Sequence, residues 1–411
     1  MKKTVVISLF LTIGCIANSY AKIWGDIWAG AQLNYPALGA VSPPIARLQL
    51  HTELSLPVTN LFLKFRLNAS YGTQFFGTTP VYAPVNNVIV SNYNFSIDES
   101  YIYYQDSVIG FYLGNIDLQD YESDGGGFFN FRFCGGEFDG FFSSHFLRML
   151  GNTGLDHIYY PTIPAMILKV DFTENLTLRA GVTFGKAWEH LFVRNSFPVE
   201  LSFHNDWLHI SLQAGFVDAD SSLTHKVSPS VSGLFEIRPL YFASDTMKPL
   251  AFFVKYGIVY PDITTFRTPP TNFNDNYKVA KEFSPFAEHF AVGFAFQTKD
   301  FGFGVAYSLL KVFTSSMPEQ VFEFFFRTTM LGIFEISPDF QLLINPAGND
   351  HYSYHWNVLP EYEYLFDPAA DTAPKYIYVV GLRITYKFDL AIAALLPKKD
   401  EKAETASIAT N

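Results

Sequence analysis

Residues 376–388 read YIYVVGLRITYKF, and every second side chain in this stretch is apolar. Successive side chains of an extended chain point to opposite faces, so one face here carries only aromatic and aliphatic groups. The opposite face becomes small and then charged, with Gly381, Arg383 and Lys387. A soluble sandwich would turn the apolar face into its core, whereas a membrane barrel would turn it toward lipid and keep the polar face inside.

The same two-residue period returns along most of the chain and predicts about sixteen strands. The stretches are 24–35, 45–56, 61–71, 96–104, 108–115, 166–172, 176–184, 199–203, 208–216, 231–237, 250–260, 290–296, 301–309, 321–336, 340–345 and 376–388. Residues 337–339, Ser-Pro-Asp, are expected to form the turn after the fourteenth stretch. Ala, Gly and Ser on the inner side of 290–296 and 301–309 indicate a crowded wall, or one approached by a loop.

Composition favours the membrane arrangement. Charged residues make up 16% of the chain, below the roughly 25% typical of soluble domains, although 49% of the residues are hydrophobic. Beyond the first residues no apolar run is long enough for a membrane helix, and without helices only a closed barrel satisfies its backbone within a membrane. The predicted fold is therefore all-β, a transmembrane antiparallel up-and-down β-barrel of about 16 strands.

The two ends of the chain are expected to lie outside this barrel. Lys2 and Lys3 precede an apolar stretch and a small-residue cleavage site ending at Ala21, which predicts a secretory signal peptide over 1–21. Gly14-Cys15 leaves a lipoprotein signal as the alternative. The barrel is predicted to cover 22–388, followed by a polar tail over 389–411. The net charge of −11 argues against a nucleic-acid partner.

Connection lengths alternate along the chain. Short links follow residues 56, 172, 296 and 336, whereas 72–95, 118–164, 261–287 and 346–375 are long and rich in Gly, Pro and Asn. Short turns at one rim and long loops at the other are typical of outer-membrane barrels, with the turns in the periplasm.

Polar residues on the predicted inner faces are candidates for a pore lining. They are Arg47, His51, Glu53, Lys64, Arg66, Lys169, Arg179, Glu236, Arg238, Lys255, Glu323, Arg327, Glu335, Gln341 and Arg383. Rows of opposite charge inside a water-filled barrel would select solutes by size and charge. The alternative is that these groups mainly form salt bridges that stiffen the wall.

The long segment 117–146 combines acidic residues, three consecutive glycines and many phenylalanines. The candidates for a constriction loop within it are Asp120, Glu122, Asp124, Phe128 and Phe131. The segment is expected either to fold into the pore mouth, where its rings could stack on sugars, or to remain a surface loop whose rings pack on their neighbours. Its acidic spacing is similar to the start of a calcium loop, but Phe131 stands where the twelfth-position acid is required.

Motifs for catalysis, metals and cofactors are absent. The chain contains no G-x-S-x-G, H-E-x-x-H or P-loop sequence, and no enzyme, metal or cofactor is predicted. Histidines on polar faces, among them His51 and His209, are expected to hydrogen-bond within the wall. A Ser–His pair assembled from separate strands remains open.

Part of the chain resembles the carbohydrate-selective porins of the OprB type. The similarity lies in Glu323 with its following aromatics, residues 338–341 (Pro-Asp-Phe-Gln), Asn345-Pro346, and Gly381-Leu382-Arg383 of the last strand. It implies a sixteen-stranded outer-membrane porin that passes sugars by diffusion and is inserted by the barrel-assembly machinery. Because many general porins are trimers, a homo-oligomer is also an expectation.

Three functions follow as hypotheses. The first is passive diffusion of sugars or other small polar solutes across the outer membrane. The second is gated import of hydrophobic substrates, motivated by the 43 phenylalanines. The third is a structural or adhesive surface barrel without transport.

Overall fold

A computed structural model describes residues 21–35, 45–56, 58–71, 93–118, 121–122, 127–128, 130–134, 162–184, 195–220, 225–259, 286–312, 318–345 and 376–391. Within them lie β1 (Ala21–Tyr35), β2 (Ile45–Ser55), β3 (Leu61–Tyr71), β4 (Tyr93–Gln105), β5 (Ile109–Asp117), β6 (Thr162–Thr173), β7 (Leu176–Thr183), β8 (Asn195–His204), β9 (Leu208–Asp220), β10 (His225–Ile237), β11 (Leu250–Val259), β12 (Phe286–Gln297), β13 (Phe301–Val312), β14 (Glu319–Met330), β15 (Phe334–Ile344) and β16 (Tyr376–Ala391).

The strands form one closed antiparallel barrel in which each strand pairs with its neighbours in sequence. β1 closes the barrel against β16, with a register that runs from Lys22 opposite Ala391 to Tyr35 opposite Tyr378. Closure leaves no sheet edge with unpaired backbone groups, as a membrane environment requires. The predicted barrel and its strand number are confirmed.

The barrel wall has the predicted arrangement, with apolar side chains on its outer face and polar side chains on its inner face. Phe252 and Phe324 point outward and are 42% and 46% exposed, whereas Arg66 and Lys255 point inward and are 3% and 0% exposed. Because the alternation has a period of two residues, a one-residue shift in register would exchange these faces. Among the residues that the structure describes, no helix is long and apolar enough to cross a membrane.

Short turns join the strands at one end, here named the turn end, where the chain also enters β1 and leaves β16. At the β4–β5 turn, the Asp106 carboxylate accepts N–H bonds from Ile109 and Val108, each at 2.7 Å. These bonds, with a third from the Tyr104 hydroxyl, hold the pKa of Asp106 below its usual value.

The β14–β15 turn differs from the prediction. Residues 337–339 lie inside β15, and the chain reverses at 331–333 instead. Leu331 and Gly332 have φ of 56° and 70°, the left-handed region that a tight reversal requires. Leu331 is 83% exposed, so an apolar residue occupies a turn position where polar residues usually mark the turn.

Two further features lie at the turn end. The β10–β11 connection contains a 3-10 turn at Asp245–Met247. β16 continues past Phe388 to Ala391 and pairs there with the start of β1. On the β2 side of β1, a Cβ on Gly25 would collide with the backbone carbonyl of Gln49, so the position requires glycine.

Candidate functional site

The predicted pore-lining residues lie on the inner side of the barrel. Those that are buried are His51, Glu53, Lys64, Arg66, Lys169, Arg179, Glu236, Lys255, Glu323, Arg327, Gln341 and Arg383. Arg47 on β2, Glu335 on β15 and Arg238, just after β10, are partly exposed. That these groups contact a passing solute stays a prediction.

Many of the inward charges are paired with one another. Arg66 Nη1 lies 3.3 Å from Asp117 Oδ2 and 3.6 Å from Glu99 Oε1. Arg327 Nη1 lies 3.5 Å from Glu335 Oε1. Such pairs neutralise charge locally, and removing one partner leaves the other buried and uncompensated. The wall salt bridges of the alternative that the sequence left open are therefore present, and that they stiffen the barrel stays a prediction.

Neither acidic partner of Arg66 is among the predicted pore residues. The β3–β4 register shifts between Arg66, opposite Glu99, and Leu67, opposite Ile97, so that one β4 residue is extra. The extra residue of such a bulge shifts the alternation by one position, so inward-facing residues have even numbers on one side of the bulge and odd numbers on the other. The only sequence signal for it was the weaker alternation of β4.

The β5–β6 connection enters the barrel. Its described residues, 118, 121–122, 127–128 and 130–134, are named here the internal strap. Along its first part, Lys64 Nζ on β3 donates to the Tyr121 carbonyl at 3.5 Å, and the Tyr101 hydroxyl on β4 donates to the same oxygen. The strap therefore begins against the inner wall of β3 to β5.

Glu122 fastens the strap to β6 and β7. Its Oε1 accepts from Arg179 Nε at 2.7 Å and its Oε2 from Lys169 Nζ at 2.9 Å. Arg179 Nη1 also donates to Glu200 Oε1 at 2.9 Å. All four side chains are at least nine-tenths buried. Charge-assisted bonds of this length are the strong class of hydrogen bond, so this contact fixes the strap in place.

Glu236 on β10 fastens the far end of the strap. Its carboxylate accepts the backbone N–H groups of Arg132 at 2.7 Å, Phe133 at 3.0 Å and Cys134 at 3.0 Å. A fourth bond, 2.7 Å long, comes from His209 Nδ1. Irregular backbone inside a barrel has no ladder partner, and this one carboxylate satisfies three of its donors.

The phenylalanines of the strap pack against the wall. Phe131 lies 4.1 Å from Lys255 Nζ, measured to the ring centroid, and meets Phe253 edge-on at 4.8 Å. Phe133 lies beneath the Arg238 guanidinium at 4.3 Å. Phe128 is fully buried beside Gly181, where a Cβ would come within 3.3 Å of the ring. The strap thus combines features of the two alternatives. It enters the barrel, as expected of a pore loop, but its rings pack on neighbouring residues, as expected of the surface loop.

The small inner residues of β12 and β13 allow this packing. A Cβ on Gly293 would lie 2.7 Å from both Ala306 Cβ and Phe253, so larger side chains do not fit. Phe131, Phe253 and Ala306 belong to one buried apolar cluster that also includes Val321, Phe325, Leu343 and Val379. The crowded wall and the approaching loop predicted from sequence are both found. The inward Phe253 and Phe325 are exceptions to the outward placement of phenylalanine.

The strap lies toward the turn end. Lys64 and Arg179 stand three residues from the start of their strands, Lys169 stands four from the end of β6, and Glu236 stands one from the end of β10. At about 3.3 Å per residue, these contacts lie within roughly 15 Å of the turn end along the strands.

Of the predicted constriction residues, Glu122, Phe128 and Phe131 belong to the strap, and Asp120 and Asp124 lie outside the described residues. Within the described part, no three His, Cys, Asp or Glu side chains come together as metal ligands would.

No protein-family model matches the chain, and no curated protein matches it. Solved structures do match it. The high-pH structure of OprB from Pseudomonas putida is 10% identical, has a TM-score of 0.58, and covers 93% of this chain and 96% of its own. The outer membrane channel DcaP of Acinetobacter baumannii is 12% identical with a TM-score of 0.53, over 90% of this chain and 97% of its own.

An anion-selective porin from Comamonas acidovorans is 11% identical with a TM-score of 0.51, over 90% of this chain and 100% of its own. Identities this low establish the fold alone. The OprB-type resemblance is confirmed at that level, and the chain has the barrel fold of the outer-membrane porins.

Proposed function

We propose that the protein is an outer-membrane porin through which small polar solutes, carbohydrates among them, diffuse passively. The observation that carries this proposal is the inverted barrel, with an apolar outer face, a polar inner wall and a strap fastened inside. Sixteen-stranded porin barrels are wide enough to leave an aqueous channel. Fastening the strap by Glu122 and Glu236 would keep the free cross-section constant.

Pairing of the wall charges supports a channel that admits uncharged solutes and has little preference for one sign of ion. Arg66, Arg179 and Arg327 each lie within 4 Å of a carboxylate, so their fields largely cancel at a distance. Hydroxyl-rich solutes can exchange hydrogen bonds with water for bonds to such a wall. Strong preference for one sign of ion would instead require a row of unneutralised charge.

Liposome swelling tests the proposal. Vesicles that contain the purified barrel are expected to swell in isotonic mono- and disaccharides and to stay intact in a large dextran. Planar-bilayer recordings in a salt gradient are expected to give a reversal potential near zero. Impermeable vesicles together with silent bilayers would favour the structural barrel without transport, and a large reversal potential would contradict the weak selectivity between cations and anions.

A second candidate is import of hydrophobic substrates. The specific observation is the inward apolar cluster around Phe253 and Phe325, which the strap phenylalanine Phe131 joins. Saturable binding of a long-chain fatty acid by the folded barrel, lost in Phe253→Ser, would support this function. Sugar permeation without fatty-acid binding would exclude it.

The remaining expectations are parts of the same proposal. Export by a signal peptide over 1–21, insertion by the barrel-assembly machinery, contact with the outer-membrane bilayer and association of several copies would all accompany a porin. Transport, not catalysis, is proposed as the principal role. Cross-linking in detergent and N-terminal sequencing of the mature protein test the oligomer and the cleavage.

A further inference from the structure

Three inward side chains on neighbouring strands form a hydrogen-bonded chain. Ser202 on β8 has its Oγ 3.2 Å from Nε2 of His209 on β9. His209 Nδ1 in turn lies 2.7 Å from Oε2 of Glu236 on β10. Ser202 and His209 are 3% and 6% exposed, and Glu236 is fully buried. No sequence motif marks the three, because separate strands bring them together.

The direction of these bonds matches what nucleophilic catalysis needs. An ionised carboxylate only accepts hydrogen bonds, so the ring carries a proton on Nδ1, and in its neutral form it presents the Nε2 lone pair to Ser202. A hydroxyl is a weak nucleophile until an adjacent base takes its proton, and that base works when a third group orients it. The same roles define the serine–histidine–acid triad on unrelated folds.

A second hydroxyl stands beside this chain. Ser211 lies directly opposite Ser202 in the β8–β9 pairing, is fully buried, and its Oγ has no hydrogen-bond partner among the described residues. Cβ atoms of such directly paired residues are about 5 Å apart. The unused hydroxyl is thus placed to donate to negative charge that develops on a group bound at Ser202.

The chain is close to the turn end. Ser202 lies two residues before the end of β8, and His209 is the second residue of β9. The low exposure of Ser202 restricts what can react there to small groups.

We propose that Ser202 is an activated nucleophile that gives the barrel a hydrolytic activity toward small carboxylic esters, beyond any transport role. Ser202 Oγ attacks the ester carbonyl carbon while its proton passes to His209 Nε2. The bond to the alcohol oxygen breaks, and the alcohol leaves with that proton. Water then attacks the acyl-serine and gives a proton to His209, the carboxylic acid departs, and the proton returns to Ser202.

Labelling of the folded wild-type barrel tests this directly. A small fluorophosphonate probe is expected to phosphonylate Ser202 with loss of fluoride, at a site read by peptide mass spectrometry. Hydrolysis of p-nitrophenyl acetate is expected to stop after this labelling. A folded barrel that the probe does not modify at Ser202 would overturn the proposal, and this readout requires no variant.

Variants separate chemistry from packing. Ser202→Ala is expected to abolish labelling and ester hydrolysis, and His209→Ala to slow labelling by about 10²- to 10⁴-fold, the usual contribution of a general base. Ser230→Ala is the matched control, because this buried inner-wall hydroxyl on β10 donates to the Gly215 carbonyl instead. Heat-modifiable mobility on electrophoresis verifies folding. Labelling of folded His209→Ala at the wild-type rate would contradict activation by the ring.

Glu236 acts through the ring and is a positioning residue, so its test needs a second readout. Glu236→Gln weakens the hold on both His209 and the strap. The expected result is slower phosphonylation of Ser202 together with faster thiol labelling of Cys134, which reports undocking of the strap. If both reactions accelerate together, Glu236 serves only the strap and the proposed chain of three is wrong.

Discussion

Glu236 is the residue whose loss should change the interior of the barrel most. Truncation to alanine removes the acceptor of three strap N–H groups and of His209 Nδ1. Nothing in the regular ladder of β10 depends on this side chain. We therefore expect Glu236→Ala to leave the barrel closed and to release residues 130–134 from the wall.

The size of the effect follows from the bonds. Hydrogen bonds to charged groups contribute about 1.5–3 kcal/mol each, so three strap bonds amount to roughly 5–9 kcal/mol before compensation. Removing the buried carboxylate also removes its desolvation cost, and measured losses for one partner of a buried charged contact are about 3–5 kcal/mol. Since 1.4 kcal/mol is a factor of ten, the undocked strap should become about 10²- to 4 × 10³-fold more populated.

Cys134 provides the assay. It is fully buried, and its carbonyl accepts from Gln297 Nε2 at 3.0 Å, so a maleimide reaches its thiol only when the strap undocks. In a Cys15→Ser background, the labelling rate should rise with the undocked population, about 10²- to 4 × 10³-fold in Glu236→Ala. Glu335→Ala is the control, because this inner carboxylate contacts Arg327 and Lys387. A rate in folded Glu236→Ala within tenfold of the control would refute the reasoning.

Three other substitutions give separate readouts. Gly25→Ala is expected to abolish the compact heat-modifiable band on electrophoresis, whereas Gly233→Ala, whose Cβ would make only an ordinary contact, keeps it. Arg179→Met should lower the free energy of unfolding in a urea titration by about 3–5 kcal/mol. Its control is Lys387→Met, which should lower this free energy by less than about 1 kcal/mol because the Lys387 side chain is 42% exposed. Asp106→Ala should lower the urea midpoint at neutral pH. Because the Asp106 pKa is lower in the folded chain, this difference should persist down to about pH 4 and vanish as pH falls further through the folded-state pKa.

The barrel could be predicted because its main determinant is local. Alternate positions of a strand point outward and inward, so the direction of a side chain such as Phe324 or Lys255 can be predicted from the alternation within its own strand. Inward placement of the charged residues followed from the same pattern. The pattern breaks at two places. The β4 bulge beside Glu99 was not predicted, and the apolar turn around Leu331 was wrongly predicted at residues 337–339.

The strap could be anticipated only in part. Glycines and phenylalanines in 117–146 predicted a loop in the pore mouth only as one of two alternatives, and Glu236 is 102 residues from Cys134 in sequence. Nothing in a single sequence connects a carboxylate on one strand with a backbone segment so far away. Ser202 and His209 are only seven residues apart on one hairpin, but both were visible only as wall residues, and Glu236 lies 27 residues beyond His209.

The strap and the wall therefore depend on each other for one physical reason. A chain that leaves the ladder inside a barrel loses its backbone partners, and each buried N–H without an acceptor costs about 1–3 kcal/mol. Glu236 supplies acceptors for three such groups, and Glu122 supplies Lys169 and Arg179 with a second buried counter-charge beside Asp171 and Glu200. A change at either partner alone leaves buried polar groups unsatisfied, so strap and wall substitutions should be strongly non-additive. The position of the strap is thus determined by wall residues as much as by the strap's own sequence.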